Sequence, residues 1–130
     1  MNVLVVDDEK IALESLQALL SICDFEVQTA SNGEQALEVA DTVEPDVAVI
    51  DLILGGSMDG LTVAEELKKI YPDLKIIIIS GRLDLGRGTQ ENSPYKYLVK
   101  PFQLSDLLAS IQSFPVATGD KPEPGRNSET

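Results

Sequence analysis

"KIIIIS", residues Lys75 to Ser80, sets four isoleucines in a row between a lysine and a serine. A strand with one face in water alternates apolar and polar residues, so an unbroken run of this kind belongs to a strand covered on both faces. Outward from it, similar compact runs lie near 2–7, 25–30, 46–51 and 95–99, with "PDVAVID" (Pro45 to Asp51) the nearest in character. Between these runs the pattern turns helical, near 9–22, 33–43, 60–71 and 103–114. The first helical stretch assigns Ile11, Leu13, Leu16, Leu19 and Leu20 to one side and Glu14, Ser15 and Gln17 elsewhere. Strands separated by helical crossovers pair in parallel, so the expected class is α/β: a five-stranded, doubly wound parallel sheet with helices on both faces.

The chain has 130 residues, 43% of them hydrophobic, and a formal net charge of −12. That length suits one domain with a proper core. From Pro115 the composition changes to "PVATGDKPEPGRNSET", rich in Pro, Gly and charge. The expected division is therefore a folded domain over 1–114 and a mobile tail or linker over 115–130. A surface this acidic is repelled by phosphate backbones and anionic headgroups, so no direct nucleic-acid partner and no membrane partner are expected. No charged leader with an apolar run stands at the start, and no apolar stretch approaches the roughly 20 residues that span a bilayer, so a cytoplasmic location is expected. The single Cys23 reads as core filler and cannot form an internal disulfide. The absence of histidine excludes a histidine kinase, a Ser-His-Asp hydrolase and a His-ligated metal site.

In an open α/β sheet, ligands bind at the carboxyl ends of the strands, where the strand order reverses. The first strand ends in Asp7 and Asp8, the third in Asp51, the fourth in Ser80 and the fifth in Lys100. Adjacent carboxylates destabilise one another's charge and require a cation, strong donors or open water. Three carboxylates and one ammonium leave two negative charges, which one Mg²⁺ neutralises while accepting a further oxygen from a phosphate. A hydroxyl from Ser80 and the positive charge of Lys100 are what a transferring phosphoryl group needs at its equatorial oxygens. One of the carboxylates can then serve as nucleophile and form an aspartyl phosphate. Taken singly, each residue has a plainer role: Asp8 as a cap of the first helix, Asp51 as a loop acid, Ser80 as a strand terminator, Lys100 as a snorkelling edge residue and Tyr97 as a half-buried strand aromatic. Their joint placement at the correct strand ends favours one site.

"LVVDDEK", "VAVIDL", "IIIIS-G" and "YLVKPF", in this order and at these separations, closely resemble the receiver domain of bacterial two-component response regulators over roughly residues 2–114. The resemblance implies the strand order 2-1-3-4-5 and Asp51 as phosphoacceptor. It implies Mg²⁺, or Mn²⁺ in its place, bound by Asp8, Asp51 and the main-chain carbonyl of Ile53, with Asp7 acting through a coordinated water. Ser80 and Lys100 would hold the phosphoryl oxygens, and the rotamer of Tyr97 would follow the state of Ser80. The implied partners are a histidine kinase or histidine phosphotransfer protein as donor and a downstream effector protein or domain as receiver of the signal. Such a domain promotes its own phosphorylation and dephosphorylation but is not a turnover enzyme. One alternative is a pseudo-receiver that keeps the fold as an interaction module, against which the intact Asp/Asp/Asp/Ser/Lys set argues. Another is a phosphatase similar to the haloacid-dehalogenase-like enzymes, which need a second acid where Ile53 stands.

Two departures from the family pattern bear on the site. Receivers usually read Asp-Leu-x-Met-Pro-x-Met-Asp-Gly after the phosphoacceptor, whereas this chain reads "DLILGGSMDG", with one extra residue and Gly-Gly in place of the proline. The loop is expected to be mobile, with Asp59 capping the helix that follows. Ile53 and Arg82 stand where the family flanks its attacking water. The second departure is "GRLDLGRGTQENSP", where the family has its fourth helix: only Leu83 and Leu85 are large and apolar, and Gly86, Gly88 and Pro94 disfavour a helix. An irregular or shortened fourth helix is expected over 82–93.

Overall fold

The computed structural model describes residues 1–56, 58–81 and 95–112. Its elements are β1 (Asn2–Val6), α1 (Lys10–Ile22), β2 (Glu26–Ala30), α2 (Gly33–Val43), β3 (Val47–Asp51), α3 (Gly60–Ile70), β4 (Lys75–Ser80), β5 (Tyr95–Val99) and α4 (Leu104–Gln112). The sheet runs β2-β1-β3-β4-β5, the order the family resemblance implied, with every neighbouring pair parallel, as the alternation of strands and helices led us to expect. The irregular helix expected over 82–93 and the tail over 115–130 lie outside the described residues.

Alternation along each strand divides the core into two layers. Leu4 and Val6 of β1, Ala48 and Ile50 of β3, and Ile76 and Ile78 of β4 face α2 and α3, meeting Ala36, Ala40, Val63, Ala64 and Leu67. Val3, Val5, Val47, Val49, Ile77 and Ile79 face the other way, onto Leu13 and Leu20 of α1 and Leu107 and Ile111 of α4. Ile76, Ile77 and Ile78 have no exposed surface. Burying side chains of this size on both faces contributes about 1.5–3 kcal/mol each, which explains why the isoleucine run sits in the interior of the sheet.

Local signals fix the helix ends. Asn32 caps α2 by accepting from the amide of Gln35 at 2.8 Å, and the Gln35 side chain reaches back to the amide of Ser31 at 2.6 Å. α2 ends at Glu44, which takes the left-handed conformation at φ 54° while its amide donates to Ala40 at 2.8 Å. The assignment of α1 to a single apolar face is corrected in part. Leu13 and Leu20 are buried and Leu16 is half-buried, but Ile11 is 79% exposed and Leu19 40% exposed. At 3.6 residues per turn Ile11 sits about 160° around the helix from Leu13, so the two cannot share a core face. Cys23, expected as core filler, is half-buried just past α1. Among the described residues, no helix is long and apolar enough to cross a membrane.

Candidate functional site

Asp7 follows the last residue of β1 and is 4% exposed. Its amide donates to Ala30 at 3.1 Å, and its carboxylate accepts from the amide of Glu9 at 2.9 Å. Asp8 is exposed, and its Oδ2 accepts from the amide of Gly55, 47 residues away, at 3.0 Å. The plainer reading of Asp8 as cap of α1 does not hold: the cap position is Glu9, with no side-chain cap bond.

Asp51 is the last residue of β3. Its Oδ1 accepts from the amide of Ile53 at 3.0 Å and its Oδ2 from the Lys100 ammonium at 3.0 Å. The Asp51 side chain is 12% exposed and that of Lys100 39%. Ser80 closes β4, is buried, and lies opposite Val99 in the β4–β5 register. Its carbonyl accepts from the Lys100 amide at 2.7 Å, so one backbone contact fixes Lys100 beside the end of β4. The Lys100–Pro101 peptide bond is cis. Tyr97 lies opposite Ile78 and packs, partly buried, against the α2/α3 side of the core. The Ile53 side chain is 63% exposed. Arg82 lies outside the described residues.

Asp7, Asp51 and Lys100 therefore form one contact group, with Ser80 at the end of the adjoining strand. Burial pushes the Asp7 carboxyl above the usual carboxylate range, and the neighbouring Asp51 adds to this, against the opposing Glu9 amide and Lys100 charge. For Lys100 burial works against the charge. The hydrogen bond with Asp51 and the charges of Asp51, Asp7 and Glu9 outweigh it and hold the ammonium above its ordinary value. Asp8 faces the loop, and among the described residues no three acids stand together as a preformed metal cage. The donor set nevertheless fits a hard divalent cation. It offers carboxylate oxygens at one end of the sheet, including those of Asp7, whose charge burial disfavours, and Mg²⁺ is satisfied by one or two carboxylates completed by water and phosphate.

The loop after β3 is set by contacts as much as by its composition. Asp59 caps α3, accepting from the amide of Thr62 at 2.8 Å, and this bond lowers the Asp59 carboxyl below its usual range. The Gly60 amide donates to Leu52 at 2.8 Å. A Cβ on Gly60 would lie 2.2 Å from the Asp51 carbonyl oxygen and 2.7 Å from Leu52 Cα, so α3 can start this close to Asp51 only from a glycine. Gly56 takes φ 96°. The Asp59 cap was legible in the sequence. The amides of Glu9, Ile53 and Gly55 were not, because no side chain announces them. A cavity of about 480 Å³ runs beside the group, lined by Asp7, Lys100, Leu16 of α1 and Phe102.

A profile of the response regulator receiver domain matches residues 3–112. The response regulator MprA of Mycobacterium leprae (strain TN) is 34% identical over 115 residues, which are 87% of this chain and 50% of that protein. The chain thus spans about half the length of the curated relatives it matches. Among solved structures, a response regulator receiver domain protein from Clostridium thermocellum superposes with a TM-score of 0.75 at 32% identity, covering 85% of this chain and 90% of that one. The response regulator TrrA of Thermotoga maritima, solved in complex with Mg²⁺-BeF, gives 0.74 at 32% identity over 85% of this chain and 95% of that one. With the profile running from β1 through α4 and the sheet in the same order, the chain belongs to the response regulator receiver domain family.

Proposed function

We propose that the chain is a phosphorylation-dependent signalling switch in which Asp51 accepts a phosphoryl group from a partner histidine kinase or histidine phosphotransfer protein. The observation that carries this reading is Asp51 itself: a mostly buried carboxylate gripped between the Ile53 amide and the Lys100 ammonium, with Asp7 against it. The donor comes from outside, since the chain holds no histidine. An Asp51 carboxylate oxygen forms the new bond to phosphorus as the bond from phosphorus to the donor nitrogen breaks, and the electron pair leaves with the imidazole. Lys100 balances the charge gathering on the equatorial oxygens, and the Ser80 hydroxyl donates to one of them once the phosphoryl group is in place. Asp7, Asp8, Asp51 and the Ile53 carbonyl would hold Mg²⁺, or Mn²⁺, which supplies charge neutralisation between carboxylates and phosphoryl oxygens. A Mg²⁺-BeF complex of TrrA, a relative at 32% identity, supports this assignment.

The phosphorylated form carries its signal through Ser80 and Tyr97 on β4 and β5 to a downstream effector protein or domain. Residues 1–114 form the receiver and 115–130 a linker or tail. The protein works in the cytoplasm as a switch rather than a turnover enzyme, without direct contact with nucleic acid or membrane. The test is labelling with Mg²⁺ and a small acyl-phosphate donor. Wild type should gain one base-labile phosphoryl group, and Asp51→Asn, which keeps the shape but not the nucleophilic charge, should gain none. Full labelling of Asp51→Asn refutes the assignment of Asp51, and a wild type that takes no label leaves a pseudo-receiver.

A further inference from the structure

We propose that the backbone amide of Gly55 is a latch on Asp8 that competes with metal binding and so couples metal loading to the position of the β3–α3 loop. The proposal rests on the reading of Asp7, Asp8 and Asp51 as the metal ligands. It begins from the one acid of the three that stands apart. Asp7 and Asp51 follow directly on the paired Val6 and Ile50 of β1 and β3, and the charges felt at Asp7 are those of Asp51 and Lys100. Asp8, although next in sequence to Asp7, directs Oδ2 to the Gly55 amide at 3.0 Å. Among the described residues the three acids form no joint cage.

A charged acceptor makes the bond stronger than an ordinary backbone contact, and the partner is the exposed tip of the loop rather than a neighbour in sequence. The fit depends on the glycine. A Cβ at position 55 would lie 3.3 Å from Asp8 Oδ2, inside ordinary contact distance, so the missing side chain lets the amide approach. The amide itself also depends on this sequence. Receivers usually carry proline at the position occupied by Gly55, and proline has no N–H to donate. The latch is therefore a property of the Gly-Gly loop of this chain.

Because the Gly55 bond fixes the orientation of the Asp8 carboxylate, a cation that turns Asp8 toward Asp51 does so at the cost of that bond, even though Oδ1 takes no part in it. By reciprocity, whatever draws the loop off Asp8 tightens metal binding by the same factor that metal binding loosens the loop. A protein that captures the rim of the loop, where Ile53 is exposed, would thus prime the site before any phosphoryl group arrives.

Calorimetric titration with Mg²⁺ alone, on unphosphorylated protein, tests the coupling. Gly55→Pro, which removes the N–H, should bind Mg²⁺ about five-fold more tightly than wild type, as expected for losing one solvent-exposed hydrogen bond from the metal-free state. Gly55→Ala, which keeps the N–H but sets a Cβ 3.3 Å from Asp8 Oδ2, should fall between wild type and Gly55→Pro. Wild type gives an independent reading that needs no variant: in amide NMR the Gly55 resonance should shift upfield and exchange faster on adding Mg²⁺. Equal or weaker binding by folded Gly55→Pro, or a Gly55 amide indifferent to Mg²⁺ in a protein that binds it, overturns the latch. If instead no form binds Mg²⁺ while Asp8→Ala still shifts the Gly55 amide, the ligand assignment falls and the coupling falls with it.

Discussion

Replacing Gly60 by alanine should be the most damaging single-methyl change near the site. The added Cβ would stand 2.2 Å from the Asp51 carbonyl oxygen, 2.7 Å from Leu52 Cα and 2.9 Å from the Asp51 carbonyl carbon. Carbon–oxygen contacts between non-bonded atoms rarely close below about 3.3 Å, so α3 and the end of β3 must separate by about 1 Å. All three obstructing atoms are backbone, and no rotamer change relieves the clash. Overpacking costs typically 1–3 kcal/mol, and a clash without a soft partner belongs at the upper end, about 3 kcal/mol. The displaced peptide carries Asp51, so acyl-phosphate labelling should slow as well. A misplacement of about 1 Å can cost on the order of 100-fold in rate. Urea unfolding measures the first effect and initial labelling rates the second. Gly33→Ala supplies an intermediate case, since its Cβ would meet side-chain rather than main-chain atoms, Val63 Cγ2 at 2.8 Å and Met58 Cβ and Sδ at 3.0 Å. Gly81→Ala supplies the control, with nothing within 4 Å of the added atom. A loss at Gly60→Ala under about 1 kcal/mol, or one no larger than at Gly81→Ala, would refute the reasoning.

Two further outcomes follow from the electrostatics. Because the folded state raises the Asp7 carboxyl above its value of 3.8, through burial first and Asp51 next, the metal-free fold binds more protons than the unfolded chain from about pH 3.8 up to the raised value. The Asp7 contribution to stability therefore falls as pH rises through that window and stays low above it. Asp7→Asn, which keeps an oxygen for the Glu9 amide, should be the more stable protein at pH 7 in chelator, and an equal or lower urea midpoint would count against the acid pair. Asp59→Ala should cost about 1 kcal/mol through loss of the α3 cap. The lowered Asp59 carboxyl gives stability that is complete above pH 3.8 and lost as pH falls through the lower folded value, so the gap between wild type and Asp59→Ala should narrow in acid.

The strands were legible because a fully covered sheet demands short apolar runs, and nothing else in a chain of this length combines "KIIIIS" with "VAVID". Their ends were legible for the complementary reason: a buried run has to stop where a charge appears, and Asp7, Asp51 and Lys100 each mark such a stop. The face of α1 was misread because its apolar residues spread around more than half the helix circumference. Only the packing of Leu13 and Leu20 on the sheet selects the inner side. The orientation of Asp8 was beyond the sequence for a different reason. A row of acids shows their charges but not which backbone amide will reach them, and the amide that does so belongs to a residue 47 positions away.

Strand order has a consequence for the chain as it is made. β1 lies between β2 and β3, so the first 51 residues contain β1 and both its neighbours, and pairing β1 with β3 is enough to bring Asp7 and Asp51 side by side. The ammonium that offsets them follows 49 residues after Asp51, just beyond the fifth strand. A protein that leaves the ribosome N-terminus first exposes the two acids to each other before Lys100 has been added. Until β5 is in place, the carboxyl ends of β1 and β3 carry an unbalanced pair of charges, and the strand that completes the sheet leads directly into the counter-charge.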